Sequence, residues 1–257
     1  MTSSRVLLGL ALLSTATVAT AQDKEPWRYR VTLGAAIQPK FPGADDTRIV
    51  PSGGLSRARG DNPFAFGAPD DAASISLTGS DSVFGIGPAV GIQGKRKLSD
   101  TNGLLPEVKW TVEAGGFVQI LPSENFRVRL EARQGVNGHK AFIADLGADY
   151  IARDGDNWLF SIGPRVSYAS GKYQRAYYGV PVTGGGLTAY RPGSGIQSYG
   201  GTTSARFEFG GGVGMFAWGK YDRLTGDAGR SPVVRVLGSR DQFSGGLGLS
   251  YTFGGKR

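Results

Sequence analysis

The chain has 257 residues, a formal net charge of +8, 42 glycines, no cysteine and a single histidine. Glycine, at about 16% against a usual level of about 7%, is spread among aromatic and β-branched residues, which excludes both collagen and a flexible linker. Without cysteine there is no disulfide framework or thiolate metal site, and one histidine cannot form a multi-histidine metal centre. These limits favour a β-rich chain that carries no cofactor.

Residues 1–21 have the features of an export signal. Arg5 supplies the positive charge, residues 6–18 are mostly apolar, and a small-x-small pattern ends at Ala21, directly before Gln22. The apolar stretch is shorter than the roughly 20 residues that a membrane-spanning helix needs. We therefore predict that the signal is cleaved between Ala21 and Gln22.

The remaining chain, residues 22–257, alternates apolar and polar side chains with the period of two that is typical of β-strands. Neither an internal repeat nor a domain boundary interrupts it, so we expect one domain. The alternation predicts about 12 strands (10 to 14), over residues 27–38, 47–57, 63–68, 72–78, 83–94, 107–120, 125–134, 141–153, 157–169, 202–210, 212–221 and 243–253.

Two architectures produce this alternation. A soluble sandwich turns the apolar face inward, whereas an outer-membrane barrel turns it toward lipid and encloses the polar face. Aromatic residues cluster at strand ends, strands reach about 10 residues, and the polar face is rich in Gly and Ser. These features favour an all-β, transmembrane, antiparallel up-and-down barrel in the bacterial outer membrane. Both termini would then face the periplasm, with residues 170–201 and 222–242 as long external loops.

A barrel of this kind encloses many charged side chains. The chemistry of such a lumen has two interpretations. Interlocked Arg–carboxylate pairs would fill it, whereas an unfilled basic lining would form a small pore that prefers anions. The candidate lumen charges are Arg28, Arg30, Lys109, Glu113, Arg127, Arg129, Glu131, Arg133, Asp145, Asp149, Arg153, Arg165, Arg206 and Glu208.

The loop over residues 170–201 is a candidate external recognition surface, because Tyr and Arg are enriched in binding hot spots. The alternative is a glycine-rich loop that folds over the barrel mouth. Its basic residues suit an anionic surface of outer-membrane lipid and lipopolysaccharide. The candidate recognition residues are Tyr173, Arg175, Tyr177, Tyr178, Tyr190 and Arg191.

No set of residues has the spacing of a catalytic site. His139 lacks the neighbouring serine that a barrel hydrolase would activate, so we interpret it as a turn residue. The adjacent acids Asp45-Asp46 and Asp70-Asp71 are interpreted as turn formers. No basic cluster with interleaved aromatic residues indicates nucleic-acid binding. We predict that the chain is not an enzyme.

Several motifs together resemble the MipA/OmpV family of MltA-interacting outer-membrane proteins. The similarity covers essentially the whole mature chain, with departures at Lys140, Pro181 and the tail over residues 254–257. The motifs are Phe41-Pro42-Gly43-Ala44-Asp45, Gly138-His139-Lys140-Ala141, Tyr173-Gln174-Arg175-Ala176-Tyr177-Tyr178-Gly179-Val180, Tyr221-Asp222-Arg223-Leu224-Thr225-Gly226-Asp227-Ala228, Ser231-Pro232-Val233-Val234 and Tyr251-Thr252-Phe253.

The resemblance implies an outer-membrane barrel that acts as an adaptor, holding a lytic transglycosylase near a peptidoglycan synthase. Two alternatives remain open at this point. One is a small-solute pore with a basic lumen, and the other is a surface adhesin that uses residues 170–201.

Overall fold

A computed structural model describes residues 25–79 and 82–255, so the predicted cleavage site at Ala21 and Gln22 lies outside the described residues. The described chain forms eleven β-strands, three short α-helices and one 3₁₀ helix over Leu98–Thr101. The strands are β1 Trp27–Pro39, β2 Thr47–Arg59, β3 Ala73–Ser74, β4 Phe84–Gln93, β5 Thr111–Ser123, β6 Phe126–Gly135, β7 Phe142–Asp154, β8 Trp158–Ala169, β9 Gly195–Gly210, β10 Val213–Leu224 and β11 Asp241–Gly254. The α-helices are α1 Gly171–Tyr178, α2 Gly226–Arg230 and α3 Pro232–Val236.

All eleven strands belong to one antiparallel sheet in the order β2-β1-β11-β10-β9-β8-β7-β6-β5-β4-β3. The first and last strands pair along their length, from Arg28 opposite Gly254 to Ile37 opposite Gly245. The sheet edges are therefore β2 and β3, which are consecutive in the chain. Arg48 of β2 packs directly against Gly94, just beyond β4, so the curled sheet brings its two edges together. This architecture confirms the predicted antiparallel barrel, and its eleven strands lie within the predicted range.

No backbone hydrogen bond joins β2 to β3 or β4 within residues 25–79 and 82–255. We call this line the seam. On its other side β3 is extended by two further bonds to β4, from Ile75 N to Pro88 O at 3.3 Å and from Leu77 N to Ile86 O at 2.8 Å. The seam is thus the one place in the described sheet where two adjacent edges share no ladder of backbone hydrogen bonds.

The two faces of the sheet are inverted relative to a soluble protein. Leu33 and Leu249 point outward and expose 70% and 65% of their surfaces, whereas the inward-facing Arg127 exposes 2%. Aromatic side chains pair near both ends of the outer face, such as Tyr29 with Phe253, whose ring centroids are 5.9 Å apart. An apolar outer band between aromatic girdles is the arrangement that lipid requires of a barrel, and it contradicts the sandwich alternative.

The strand boundaries differ from the alternation-based prediction in two regions. Residues 63–68 form no strand, and the predicted strand at 72–78 shrinks to β3. By contrast, β9 begins at Gly195 rather than at residue 202, which shortens the predicted loop over 170–201. Residues 60–72, here called the plug, alternate over only a few positions, and they run inside the barrel instead of in its wall.

The two ends of the barrel have unequal connections. At the terminal end, where β1 begins and β11 ends, short turns join β5 to β6, β7 to β8 and β9 to β10. At the loop end lie the longer connections, which are residues 40–46, residues 95–110, α1 with residues 179–194, and α2 and α3 with residues 237–240. We call these connections together the lid. No helix in the described part of the chain has the length and apolar content to cross a membrane.

Candidate functional site

The first of two sets of contacts that hold the plug lies near the terminal end of the lumen. Phe64 N donates a hydrogen bond of 3.0 Å to Asp156 Oδ1 in the β7–β8 turn. The same carboxylate receives Arg28 Nη1 at 3.1 Å. The Arg30 guanidinium lies 4.0 Å from the centroid of the Phe64 ring, which is a close cation–π contact. The aromatic ring and the basic side chains of β1 therefore close the lumen at this level.

The plug's adjacent acids are the second anchor. Asp71 Oδ2 lies 2.5 Å from Arg127 Nη1 of β6. Asp70 Oδ2 lies 3.0 Å from Arg165 Nε of β8 and 3.2 Å from Lys220 Nζ of β10. Burial alone would raise the pKa of Asp70, but the positive charges of Lys220 and Arg165 outweigh it and hold that pKa below its usual range. Asp70 is therefore ionised, and the two acids tie the plug to β6, β8 and β10.

Asp149 of β7 completes this group of charges from the wall. Its Oδ2 lies 2.7 Å from Arg127 Nη2, and its Oδ1 lies 2.7 Å from Arg165 Nη2. The Asp149 side chain is 1% exposed, so both oxygens depend on these arginines for hydrogen bonds. A carboxylate bound by two arginines satisfies the requirement that a buried charge be paired.

A second group of charges lies on β5, β6 and β7. Arg129 Nη2 binds Glu131 Oε2 at 2.7 Å. Arg133 Nε lies 3.1 Å from Glu113 Oε2, its Nη2 lies 2.9 Å from Asp145 Oδ2, and it also binds Glu131. Together the two groups form the charge lattice, which spans the lumen from β5 to β10.

His139 has a structural role next to the charge lattice. Its side chain is buried, its Nδ1 accepts a 3.1 Å hydrogen bond from Ala141 N, and its Nε2 lies 2.9 Å from Glu113 Oε1. Because Nδ1 accepts, the ring proton is assigned to Nε2, which donates to the glutamate. His139 lies in the turn between β6 and β7, as the sequence predicts, and its hydrogen bond holds the Glu113 carboxylate in place.

The lid closes the loop end with a core of aromatic and aliphatic side chains. Tyr173, Tyr177 and Tyr178 of α1 expose 4%, 0% and 0% of their surfaces. Arg96 holds the carboxyl end of α1, where its Nη1 donates to Tyr177 O at 2.8 Å and its Nη2 donates to Ala176 O at 2.9 Å. Burial raises the pKa of the Tyr178 hydroxyl, which stays protonated at neutral pH.

This packing differs from the external recognition loop that the sequence predicts. Three of its tyrosines, at positions 173, 177 and 178, expose at most 4% of their surfaces because they are packed within the lid. Arg175 and Arg191 are exposed, while Tyr190 is half-buried and donates a 3.0 Å hydrogen bond to Asp227 O. Recognition by the exposed residues remains a prediction.

The predicted lumen charges fall on the inward face with one exception. Lys109 is exposed, because β5 begins two residues later, at Thr111. Arg206 and Glu208 lie further toward the terminal end, where Glu208 Oε1 is 2.9 Å from Arg30 Nη2. Sequence reasoning missed further charges that face the lumen: Arg48, Asp70, Asp71, Asp156, Lys220 and Asp222. Alternation along β10 would have identified the last two.

A cavity of about 300 Å³ remains between the charge lattice and the lid. Its walls include strand residues from both sides of the seam, Arg48 on β2 and Ile92 on β4, and Tyr178 of the lid. The arrangement is a barrel with a plugged lower lumen and a small polar chamber near the loop end. Such a chamber can bind and orient a small molecule, and the described residues around it include no cluster of three or more metal-binding side chains.

Comparisons with known proteins identify one matching family. A family model described as MltA-interacting protein MipA matches residues 31–253. No curated protein matches the chain. Among solved structures, the KdgM porin is 12% identical, with a TM-score of 0.38 and coverage of 89% of this chain and 99% of its own. The COG4313 outer membrane channel from Pseudomonas putida F1 is 10% identical, with a TM-score of 0.43 and coverage of 90% and 96%. These TM-scores are low, so the likeness carries no argument about activity.

Proposed function

The chain belongs to the MipA family, and from this premise we propose that it is a non-conducting outer-membrane barrel that serves as an adaptor for a lytic transglycosylase. A peptidoglycan synthase would be the second protein that the adaptor holds. In this proposal the barrel is a membrane anchor and a rigid binding platform.

One observation carries the proposal: the lumen is filled. Asp70 and Asp71 of the plug are each held by buried basic side chains from the wall. The acidic and basic side chains neutralise each other at short range, and these ion pairs hold the plug in place. Few basic side chains therefore remain free to attract anions. This packing disfavours the pore alternative, which requires a continuous aqueous path.

The partner would bind the terminal end, since the short turns lie there, beside the start of β1 and the end of β11. These turns present exposed charges, among them Glu124 between β5 and β6 and Asp154 at the end of β7. Charged side chains in short, rigid turns suit a surface that determines which partner binds and in what orientation. The lid, at the other end of the barrel, would be dispensable for this contact.

Co-purification with a purified MltA-type transglycosylase tests the proposal. We expect the double charge reversal Glu124→Lys/Asp154→Lys to reduce the retained transglycosylase by about tenfold or more. The matched control is Arg175→Glu/Arg191→Glu on the lid, which should retain the partner as well as the unmodified protein does. No retention by the unmodified barrel would contradict the adaptor role, and equal retention by both variants would contradict binding at the terminal end.

Planar-bilayer recording of the refolded protein tests the non-conducting part separately. We expect no stable current steps from the unmodified barrel. Heat-dependent gel mobility establishes that the barrel has folded. Ohmic steps from a folded barrel would instead support the pore.

A further inference from the structure

The chamber beneath the lid contains polar atoms that the protein itself leaves without partners. Tyr178 Oη, Asp222 Oδ1, Gln197 Oε1 and Arg48 Nε are all buried and make no hydrogen bond within the described residues. All four side chains line the same chamber. They come from α1, β10, β9 and β2, so they converge from four different elements. Buried polar atoms are normally hydrogen-bonded, so four unpartnered ones on residues that line a single chamber indicate a site that a ligand would complete.

Gln197 reaches this chamber through a backbone irregularity. In the pairing of β8 with β9, Ser167 is opposite Ser198 but Tyr168 is opposite Ile196, so Gln197 is the extra residue of a β-bulge. Bulges redirect side chains and are common beside functional sites. Regular alternation would have pointed Gln197 toward the outside of the barrel. The bulge instead places its amide in the chamber.

Arg48 is the one basic side chain of the chamber wall that forms no ion pair with a described carboxylate. The charge lattice uses the other basic residues, which are Arg127, Arg129, Arg133, Arg165 and Lys220. Asp222 still has a free oxygen, because its Oδ2 alone binds Lys220, at 3.3 Å. The chamber therefore offers one unneutralised guanidinium together with two free acceptor oxygens.

We propose that the chamber binds a small organic carboxylate that also carries hydroxyl or ammonium hydrogen-bond donors. The carboxylate would pair with Arg48, since a guanidinium matches carboxylate geometry. The donors would bind Asp222 Oδ1 and Gln197 Oε1, and the Tyr178 hydroxyl would bridge to the ligand as a neutral donor. A volume of about 300 Å³ is at the lower end of ligand pockets, which restricts the ligand to a single sugar acid or amino acid.

The seam is the entrance that this site requires. Arg48 lies on one side of it and Ile92, Gln93 and Gly94 lie on the other, and all four line the chamber. No ladder of backbone hydrogen bonds has to break there for the two edges to separate. A ligand can therefore enter beside Arg48 while the plug and the charge lattice stay in place. The site is compatible with a non-conducting barrel but does not depend on an adaptor function.

Isothermal titration calorimetry of the refolded mature protein in detergent micelles tests the site. The probes are glucuronate, with hydroxyl donors, and alanine, with an ammonium donor; acetate lacks donors and glucose lacks a carboxylate. We expect glucuronate or alanine to bind, and which of them binds identifies the donor class. Acetate and glucose should bind at least about tenfold more weakly. Absence of binding by both glucuronate and alanine at millimolar concentration would overturn the proposal and assign the chamber to water.

Variants separate a specific site from unspecific binding. Arg48→Gln should weaken binding by about tenfold or more, and Tyr178→Phe, which keeps the ring of the lid core, should weaken it severalfold. The matched control is Arg57→Gln, because Arg57 is on the same strand but on its exposed face. Heat-dependent mobility checks that each variant folds. If Arg48→Gln and Tyr178→Phe both bind as the unmodified protein does, the site is not the one proposed.

Discussion

The plug and the lid block the same lumen by different physical means. The lid buries aromatic and aliphatic side chains, among them Tyr177, Tyr178 and Val234, at exposures of 0 to 1%. The plug is held by ion pairs to acids such as Asp70, and by cation–π contact at Phe64. Apolar burial is non-directional and roughly proportional to area, whereas buried ion pairs require matched geometry. The lid therefore contributes mainly stability, and the plug contributes a defined position inside the barrel.

Removing a buried arginine should have the largest effect, because it takes a close cation from two carboxylates at once. We expect Arg127→Leu to lower the free energy of unfolding by about 3–5 kcal/mol, since Asp71 loses its shortest ion pair and Asp149 keeps Arg165 alone. Urea unfolding in lipid vesicles, followed by tryptophan fluorescence, measures this loss.

The companion variant Arg127→Leu/Asp149→Leu is the control for that experiment. It removes one of the two buried carboxylates that lose Arg127, so it should be more stable than the single variant. A double variant that is less stable would mean that the arginine acts through packing and not through its charge.

A truncation in the lid core should have the next largest effect. Leu105 is 1% exposed and packs with Phe41, Val180, Leu187 and Val233. Leu105→Ala should destabilise the lid by about 3 kcal/mol, through lost apolar burial and a cavity. Limited proteolysis of the lid and urea unfolding both measure it. Unlike the effect of Arg127→Leu, this loss should be independent of salt; a clear salt dependence would remove the distinction between the two closures.

Acid should weaken the plug but not the lid. Because Lys220 and Arg165 hold the pKa of Asp70 below its usual range, this carboxylate stabilises the fold at every pH above its ordinary pKa of about 3.9. That contribution is lost as the pH falls below this value toward the lower pKa of the folded state. Proteolytic protection of residues 60–72 should thus be unchanged from pH 7 to about pH 5 and should decline near pH 3.

Asp70→Asn is the control for acid sensitivity. The variant should be less protected than the unmodified protein at pH 7, and the difference between the two should shrink as the pH approaches 3. A constant difference across this range would show that Asp70 is not the group whose protonation matters.

An exposed ion pair on the lid should have the smallest effect. Arg230 Nη2 lies 2.5 Å from Asp227 Oδ1, but both side chains face solvent and their residues are three apart on one short helix. Exposed pairs of this kind contribute little to stability. We expect Arg230→Gln to unfold at the same urea concentration as the unmodified protein. A shift as large as that of Leu105→Ala would mean that the lid also depends on charge.

Period-two alternation was enough to predict the wall of the barrel. It assigned Arg127 and Arg129 to the inward face, because strand geometry fixes the face once the register is known. It could not assign Asp70 and Asp71 to the lumen. In a strand, two adjacent side chains point to opposite faces, and residues outside a strand follow no such alternation. Lys109 was misassigned because alternation does not mark where a strand begins.

In the lid, the spacing of the aromatic residues has the period of a helix and not that of a strand. Tyr173 and Tyr177 are four residues apart, the spacing that puts two side chains on one face of a helix. A test for strands alone does not detect it, and glycine and proline around the segment indicate a loop. Gln197 is a harder case, since nothing in the residues around a bulge specifies that the register shifts there.

The pairing of β1 with β11 joins the two extremes of the described chain, and Asp70 of the plug contacts Lys220 of β10. Both contacts join residues that are far apart along the sequence, and such contacts slow folding because loop-closure entropy is lost before they form. The barrel wall cannot close until β11 pairs with β1, and the contact between Asp70 and Lys220 cannot form until β10 is present. Assembly is therefore a late, concerted event, during which Asp70 and Asp71 stay hydrated until their arginines arrive.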